Sequence, residues 1–211
     1  MTLIADRAYE QLRDRIVTLR LAPGSSLRED ELMRELGIGR TPLREAVKRL
    51  SLENLVAVQP RRRTIVTAVD ASDIVHITEV RAELEAQAAE LAAERLESRE
   101  PAEALLAELR ATGDASQDAL MHIDERVHRF IWEAARNPYL LETLERYFAL
   151  SMRVWYLVLD RVPRLGGAVH DQEALLTAVM AGDAERAGTM MREHVLEFQR
   201  EIAAAFDGDR R

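Results

Sequence analysis

Two residues on one predicted helix have the types and the spacing of metal ligands. Asp124 and His128 stand four positions apart in SQDALMHIDERVHRFIWEAAR, so a helix places both side chains on one face, one turn apart. A carboxylate oxygen and an imidazole nitrogen in this arrangement can share one divalent metal ion. Surface Asp–His pairs at this spacing also occur without metal, so the pair alone leaves both interpretations open.

A second set of residues suits contact with a polyanion. Arg40, Arg44 and Lys48 recur every fourth position in GIGRTPLREAVKRL, which places them on one face of a helix. The opposite face is apolar and indicates packing on a core; it carries Leu43, Ala46, Val47 and Leu50. Arginine can donate two hydrogen bonds to guanine, and Thr41 with the amides behind it suits a phosphate. A solvated charged face is the alternative interpretation.

Arg81 is a third candidate, because it lies in EVRAELE on an otherwise apolar helix face. A buried arginine is costly without an anion beside it. Glu85, one helical turn further along, is one candidate partner, and the carboxylate of a small organic acid is the other. Arg153, in SMRVWY, is a weaker candidate for a second clamp on the same ligand.

The charge of the chain is unevenly distributed. The 211 residues carry a formal net charge of −8, yet residues 1–68 hold 13 basic against 9 acidic side chains, and the remainder holds 16 against 28. A basic first third joined to an acidic remainder indicates that only the first third meets a polyanion. The chain has no cysteine, which excludes disulfides and thiolate metal sites. No apolar run approaches a membrane span and no secretory segment is visible, so we expect a cytoplasmic protein.

The first 68 residues predict a compact DNA-binding plan. An amphipathic helix in RAYEQLRDRIVTLRL is followed by a short helix in EDELMREL and a tight turn at GIG. Thr41 and Pro42 are typical of a helix start, and that helix runs to about Glu53. Two β-rich runs in LVAVQPRRRTIVTAV then predict a hairpin whose tip carries Arg61, Arg62 and Arg63. This element order predicts a winged helix-turn-helix domain over residues 1–68.

The remaining residues predict about six helices and no strand. The first long helix begins near Ser72, and a later helix closes at Asn137-Pro138, where proline opens the next one. A helical hairpin broken at Gly182-Asp183 ends the chain. We therefore predict a mainly α fold, with three helices and a β-hairpin followed by an all-α domain over residues 72–207.

Both halves resemble one family. The segment GIGRTPLREAVKRLSLENLV resembles the helix-turn-helix signature of the GntR family of bacterial transcription regulators. The C-terminal part is similar to the FadR-type, all-helical FCD domain of that family; the matching segments are EVRAELEAQAAELAA, DERVHRFIWEAARNPYL and EALLTAVMAGDAERAGTMMREHV. Six helices there are typical of the shorter, VanR-like branch.

The resemblance implies a metal site. Many such domains bind a divalent ion through an Asp–His pair and two further histidines from the last two helices. His194 falls at one of these positions, whereas Gln172 stands at the other. Glutamine is a poor ligand for zinc-like ions, and His170 lies about 200° further round the helix. Zn, Ni or Mn bound through Asp124, His128 and His194, weak binding that depends on the effector, and a metal-free site all remain open.

The resemblance also implies a function. We expect a homodimeric, metabolite-responsive regulator that binds a near-palindromic double-stranded operator, since a two-fold dimer requires two-fold symmetry in its DNA. Arg81, with Arg153, would clamp a small carboxylate effector, and release of DNA on ligand binding, hence repression without ligand, is the commoner behaviour. We do not expect an enzyme. The two alternatives are a metal-dependent hydrolase in the helical bundle and an architectural DNA-binding protein with no effector.

Overall fold

The computed structural model of the chain describes residues 4–59, 63–112, 116–158 and 166–207. These residues form two compact units, and each unit contains a stretch from elsewhere in the sequence. The first unit comprises Met1–Asp73 and Ala149–Leu157, and the second comprises Ile74–Phe148 and Val158–Arg211. The short stretch Ala149–Leu157 therefore packs with the N-terminal residues, although it lies in the region that we predicted to be the helical domain.

Three helices and a small sheet form most of the first unit. The helices are α1 (Ile4–Val17), α2 (Glu29–Leu36) and α3 (Arg40–Leu52), and the strands are β1 (Ser26–Leu27), β2 (Val56–Gln59) and β3 (Arg63–Val66). The sheet is antiparallel in the order β1-β3-β2. The winged helix-turn-helix class is thus confirmed. The strand β1 was not predicted, because two residues are too few to show an alternating pattern.

The apolar face predicted for α3 is buried in the core of this unit. All four residues of that face are enclosed, together with Leu12 and Ile16 from α1 and Leu32 from α2. The turn between α2 and α3 depends on Gly37, whose φ of 65° is a left-handed conformation that glycine adopts without a Cβ penalty. This turn fixes the angle at which α3 leaves α2 and so determines what α3 presents to solvent.

Six helices follow the sheet within the described residues, as predicted. They are α4 (Ala71–Arg95), α5 (Glu100–Ala111), α6 (Gln117–Ala134), α7 (Pro138–Val158), α8 (Gly166–Ala181) and α9 (Ala184–Asp207). Asn137 Oδ1 accepts hydrogen bonds from the backbone N–H groups of Tyr139 and Leu140, which caps α7 at the predicted break. Gly182, with a φ of 74°, separates α8 from α9, so the predicted helical hairpin is confirmed.

The helices of the second unit enclose a polar cluster within an apolar shell. Buried apolar residues from α4, α6, α7, α8 and α9 form that shell; they include Ala82, Ala89, Ile131, Leu144, Leu176, Val179, Met191 and Val195. Small alanines on α4 allow the neighbouring helices to approach its polar residues closely. Among the described residues, none of the helices combines the length and the apolar composition that a membrane span needs.

Candidate nucleic-acid interface and metal centre

The basic residues of α3 lie on its solvent-exposed face. Arg40, Thr41, Arg44 and Lys48 are all exposed. The helix begins at Arg40 and is preceded by Gly39, which provides no side-chain cap. The prediction of Thr41 as the cap and Pro42 as the first helical residue was therefore wrong by two residues, and Thr41 lies inside the first turn instead of capping it. The free N–H groups of this turn, beside two arginines, favour a phosphate.

Two carboxylates of α2 face the arginines of α3. Arg44 Nε lies 3.5 Å from Glu29 Oε2, and Arg40 Nη2 lies 3.6 Å from Asp30 Oδ1. Both acids lie in the first turn of α2, where their charge also suits the positive end of the helix dipole. At these distances and exposures the pairs contribute little to stability. They do leave the two arginines beside a negative charge that a DNA phosphate would have to replace.

The wing is described only in part. Arg63 is exposed at the start of β3, and its Nε donates to Ser26 Oγ at 3.5 Å, a long contact between β3 and β1. Arg61 and Arg62, the other two arginines predicted at the wing tip, lie outside the described residues. The role of all three in DNA binding stays a prediction.

Three predicted metal ligands meet in the second unit. The candidate ligand atoms of Asp124, His128 and His194 all lie within 4.8 Å of one another. His194 Nε2 is 3.2 Å from Asp124 Oδ1, and His128 Nε2 is 3.8 Å from Asp124 Oδ2. Two ligands on one tetrahedral zinc ion lie roughly 3.3 Å apart. The donor set therefore fits a divalent ion after small side-chain adjustments, with α6 supplying two ligands and α9 the third.

Gln172 joins the same cluster from α8. Its side chain is buried, and its Nε2 donates a close hydrogen bond to Asp124 Oδ1. Rotation of the amide by half a turn would present Oε1 in place of Nε2, because the two ends of an amide are nearly isosteric. Gln172 thus stands where a fourth ligand would be needed, although its oxygen is a weaker donor to zinc than an imidazole. The side chain of His170 lies outside the described residues.

Glu85 connects this cluster to Arg81. Arg81 Nη2 donates to Glu85 Oε1 at 2.7 Å, with Nε at 3.3 Å from the same oxygen. The second oxygen, Oε2, accepts from Trp132 Nε1 at 2.6 Å and lies 3.0 Å from His128 Nδ1. All four side chains are buried. Of the two partners considered for Arg81, the internal carboxylate is the one found here, and contact of Arg81 with an effector stays a prediction.

Aromatic rings enclose the cluster. The Arg81 guanidinium lies 4.9 Å from the centroid of the Phe148 ring, a cation–π geometry. The ring of His128 packs 5.2 Å from Phe148 and 5.8 Å from Trp132, measured between centroids. These contacts hold the imidazole in one orientation and keep water from the charged groups, which strengthens the electrostatic interactions between them.

The electrostatics favour charged forms despite burial. Burial raises the pKa of Glu85, but the charges of His128 and Arg81 and the hydrogen bonds from His128 and Trp132 outweigh it and lower that pKa to about 2. Burial also opposes ionisation of Asp124, yet His128 and His194 lower its pKa. Burial lowers the pKa of His194, but its hydrogen bond to Asp124 and the carboxylate charge raise it overall. A metal ion bound at His194 would therefore displace a proton.

A cavity of about 310 Å³ lies beside His194. Its lining is mainly polar and comes from α9 and the start of α8; it comprises Asp171, Met190, Glu193, His194, Glu197 and Arg200. His194 belongs both to this lining and to the candidate metal cluster, so the cavity adjoins the cluster at that residue.

Arg153 belongs to the first unit. Its Nη1 donates to Thr67 Oγ1 at 2.7 Å, and its Nη2 donates to the Thr67 carbonyl oxygen at 2.5 Å. The side chain is buried, which lowers the pKa of Arg153 to about 10 against the opposing charge of Asp73. Both terminal nitrogens of the guanidinium thus donate to Thr67, the residue that follows β3, which favours a structural role for Arg153 over the predicted second effector clamp.

Sequence reasoning missed three partners in these sites. Trp132 donates a hydrogen bond to Glu85, and its position in the sequence does not indicate this contact. Glu29 and Asp30 were assigned only to a helix. Glu85 was not missed, because its position one helical turn after Arg81 is visible in the sequence. The contacts of Glu29 and Asp30 join two helices, and the spacing within either helix does not reveal them.

Comparisons with known proteins agree with this architecture. Residues 4–66 match the family described as bacterial regulatory proteins, gntR family, and residues 76–197 match the FCD domain. The HTH-type transcriptional repressor GlaR of Escherichia coli (strain K12) is 32% identical over 208 residues, 93% of this chain and 94% of that protein. The Nta operon transcriptional regulator of Aminobacter aminovorans is 31% identical over 171 residues, 80% of each protein. The solved structure of E. coli McbR/YncC shares the fold, with TM-score 0.82 and 23% identity over 99% of both chains.

Proposed function

The chain belongs to the GntR family of bacterial regulatory proteins and carries an FCD domain, and on that premise we propose that it represses transcription until a small organic anion binds beside a metal ion in the FCD domain. Family membership makes it a DNA-binding transcription regulator with a ligand-binding C-terminal domain. The nature of the effector, the metal and the direction of the response are our own proposal, and the naming of GlaR as a repressor supports that direction.

The DNA-binding half of the proposal depends on α3 and the wing. We propose that Arg40 and Arg44 contact base edges or phosphates, that Thr41 contacts a phosphate and that Lys48 adds charge further along. Their exposure on one face and the position of Arg40 at the first turn of α3 support this assignment. We further propose a homodimer on a near-palindromic operator, with Arg61, Arg62 and Arg63 at the wing tips.

The effector half depends on one observation. Asp124, His128 and His194 come from two helices and meet in a buried cluster with ligand spacing, next to a cavity that reaches His194. Buried charged groups of this kind are costly, and clusters of them with perturbed pKa values are enriched at binding sites. A divalent ion held there, with a fourth position filled by Gln172 or water, would attract the carboxylate of a small acid.

The ligand must bind two states of the protein with different affinity in order to regulate DNA binding. We propose that the anion and the metal bind most tightly to the conformation of the dimer in which the spacing of the two winged helix-turn-helix domains does not match the operator. A ligand that favours that state by a factor of 100 would weaken operator binding by at most the same factor, about 2.7 kcal/mol.

A thermal-shift screen tests the effector site. Protein stripped with a chelator would be mixed with Zn²⁺, Ni²⁺ or Mn²⁺, with and without a panel of organic acids. We expect stabilisation by metal, further stabilisation by at least one acid only when metal is present, and loss of both effects in Asp124→Ala. Glu125→Ala, one residue away, is the matched control. No shift with any metal or acid would overturn the effector half, and turnover of any acid would favour a hydrolase.

DNA selection tests the other half. A random duplex library bound by the full-length protein should yield a near-palindromic sequence, and Arg44→Ala should lose affinity for it. Duplexes that bind with no sequence preference would instead favour an architectural protein.

A further inference from the structure

Glu85 is a fully buried carboxylate that receives hydrogen bonds from three different side chains. Arg81, one turn earlier on α4, donates to one oxygen, and Trp132 and His128, both on α6, approach the other. No part of the Glu85 side chain is exposed to solvent. A carboxylate with this many donors is held in one rotamer, and its charge is balanced inside the protein.

Glu85 determines which ring nitrogen of His128 carries the hydrogen. Ionised Glu85 can only accept, so the 3.0 Å contact requires that His128 Nδ1 carry the hydrogen. In the neutral ring the lone pair is then on Nε2, the nitrogen that faces Asp124. A metal ion needs a lone pair at that atom, and a carboxylate on the opposite nitrogen raises the basicity of the ligand.

Glu85 also balances the positive charge of Arg81. Glu85 accepts from two of the five N–H donors of the guanidinium and cancels its positive charge at 2.7 Å. Arg81 keeps donors for further hydrogen bonds but adds no net charge to the cluster. A divalent ion on Asp124 and two neutral histidines would leave a net charge of about +1, which makes the ion the strongest attraction for an anion.

We propose that Glu85 is a positioning residue with two roles: it holds His128 in the metal-binding tautomer, and it neutralises Arg81 so that an anionic effector is recognised through the metal ion. The inference rests on the proposed function, because it assigns roles within the same site. Arg81 then orients the anion by hydrogen bonding and does not act as the charged clamp that the sequence suggested.

Three variants separate the two roles. Glu85→Gln removes the charge and keeps the shape, and Glu85→Asp keeps the charge but withdraws the carboxylate from His128 by one methylene. Glu83→Gln is the matched control, since Glu83 lies two residues away on α4 and pairs on the surface with Arg192. Zinc affinity of the full-length protein would be measured by chelator competition, and acetate and malonate would serve as anion probes in thermal shift.

We expect zinc affinity to fall 10- to 100-fold in Glu85→Gln and about tenfold in Glu85→Asp, with the control within twofold of the original protein. Acetate or malonate should stabilise metal-free Glu85→Gln, where no carboxylate cancels the Arg81 charge, but should not stabilise the metal-free original protein or Glu85→Asp. Zinc affinity unchanged in both Glu85 variants would overturn the first role. Metal-free binding of the probes to the original protein would overturn the second.

A direct measurement on the original protein does not depend on whether a buried variant folds. The ¹⁵N chemical shifts of the His128 ring, recorded at pH 8.5, distinguish hydrogen on Nδ1 from hydrogen on Nε2. We expect hydrogen on Nδ1, both with and without zinc. If the protein binds none of the metals, the proposed metal site fails, and these shifts still decide the inference: hydrogen on Nε2 in the metal-free protein would overturn it.

Discussion

Arg44 Nε lies 3.5 Å from Glu29 Oε2, so an arginine assigned to DNA contact faces a carboxylate of the neighbouring helix. Asp30 stands in the same relation to Arg40 at 3.6 Å. A DNA phosphate that approaches these arginines meets two negative charges as well. Base contacts, which are specific, can compensate for this repulsion, whereas phosphate contacts alone compensate for less of it.

We therefore expect the double variant Glu29→Gln/Asp30→Asn to bind DNA of unrelated sequence about tenfold more tightly at low salt, because two charges near the phosphates are removed. Affinity for the selected operator should rise less, so the ratio of specific to non-specific affinity should fall. Fluorescence anisotropy with operator and scrambled duplexes at two salt concentrations measures both. Glu35→Gln, further along α2 and paired with Arg15, is the control. Equal gains on both duplexes would contradict the expectation.

Much of the fold could be predicted because its signals are local. Helical spacing placed the buried face of α3, and the breaks at Asn137 and Gly182 followed from capping and turn chemistry. The two-residue strand β1 had no such signal, since its pairing with β3 is a long-range contact. The start of α3 was misjudged because Gly39 occupies the cap position without a side chain to mark it.

The sequence predicted which residues form the candidate site better than it predicted the contacts between their side chains. Asp124 and His128 share a helix face, and the family resemblance supplied His194. Which way Arg81 and Arg153 point depends on the rotation of α4 and α7 in the packed protein. Periodicity estimates that rotation to within a residue or two, which is too coarse to show that Arg153 would reach Thr67.

The metal affinity of the site should rise with pH. The pKa of His194 is raised above its ordinary value, chiefly by its hydrogen bond to Asp124 acting against burial. Without metal, the protonated ring stabilises the fold below pH 6.5, and this contribution is lost as pH rises through the raised pKa. Because the pKa of Asp124 is lowered, its ionised carboxylate also stabilises the fold above about pH 4. This contribution to stability is lost as pH falls through the lowered pKa. Zinc must displace the His194 proton, so below the raised pKa the apparent affinity should rise about tenfold per pH unit.

Chelator competition between pH 6 and pH 8 measures this dependence. The difference in melting temperature between zinc-loaded and chelator-treated protein should grow over the same range. His194→Ala should abolish the pH-dependent gain, whereas His122→Ala, on an exposed position of α6, should retain it. A zinc affinity that does not change with pH would mean that His194 is not a ligand.

Replacing Gln172 by histidine should complete the ligand set. Gln172 is buried, and its side chain already contacts Asp124. An imidazole is a stronger donor to zinc than an amide oxygen, so we expect Gln172→His to raise zinc affinity at least about tenfold, or about 1.4 kcal/mol. Competition titration at pH 7.5 measures it. Glu173→His, at the next position and on a different helix face, is the control, and an equal gain in that variant would indicate nonspecific binding.

Arg153 should matter for stability and not for ligand binding. Its guanidinium is buried and donates two hydrogen bonds to Thr67, so Arg153→Met should lower the free energy of unfolding by about 1.5–3 kcal/mol. Arg153→Lys should recover only part of this loss, because a single ammonium cannot reproduce the paired geometry. Arg110→Met, which removes an exposed ion pair with Glu173, should cost less than about 1 kcal/mol. Urea unfolding of the three variants measures these differences. Zinc and effector affinities that fall in Arg153→Met while its stability is unchanged would instead return Arg153 to the effector site.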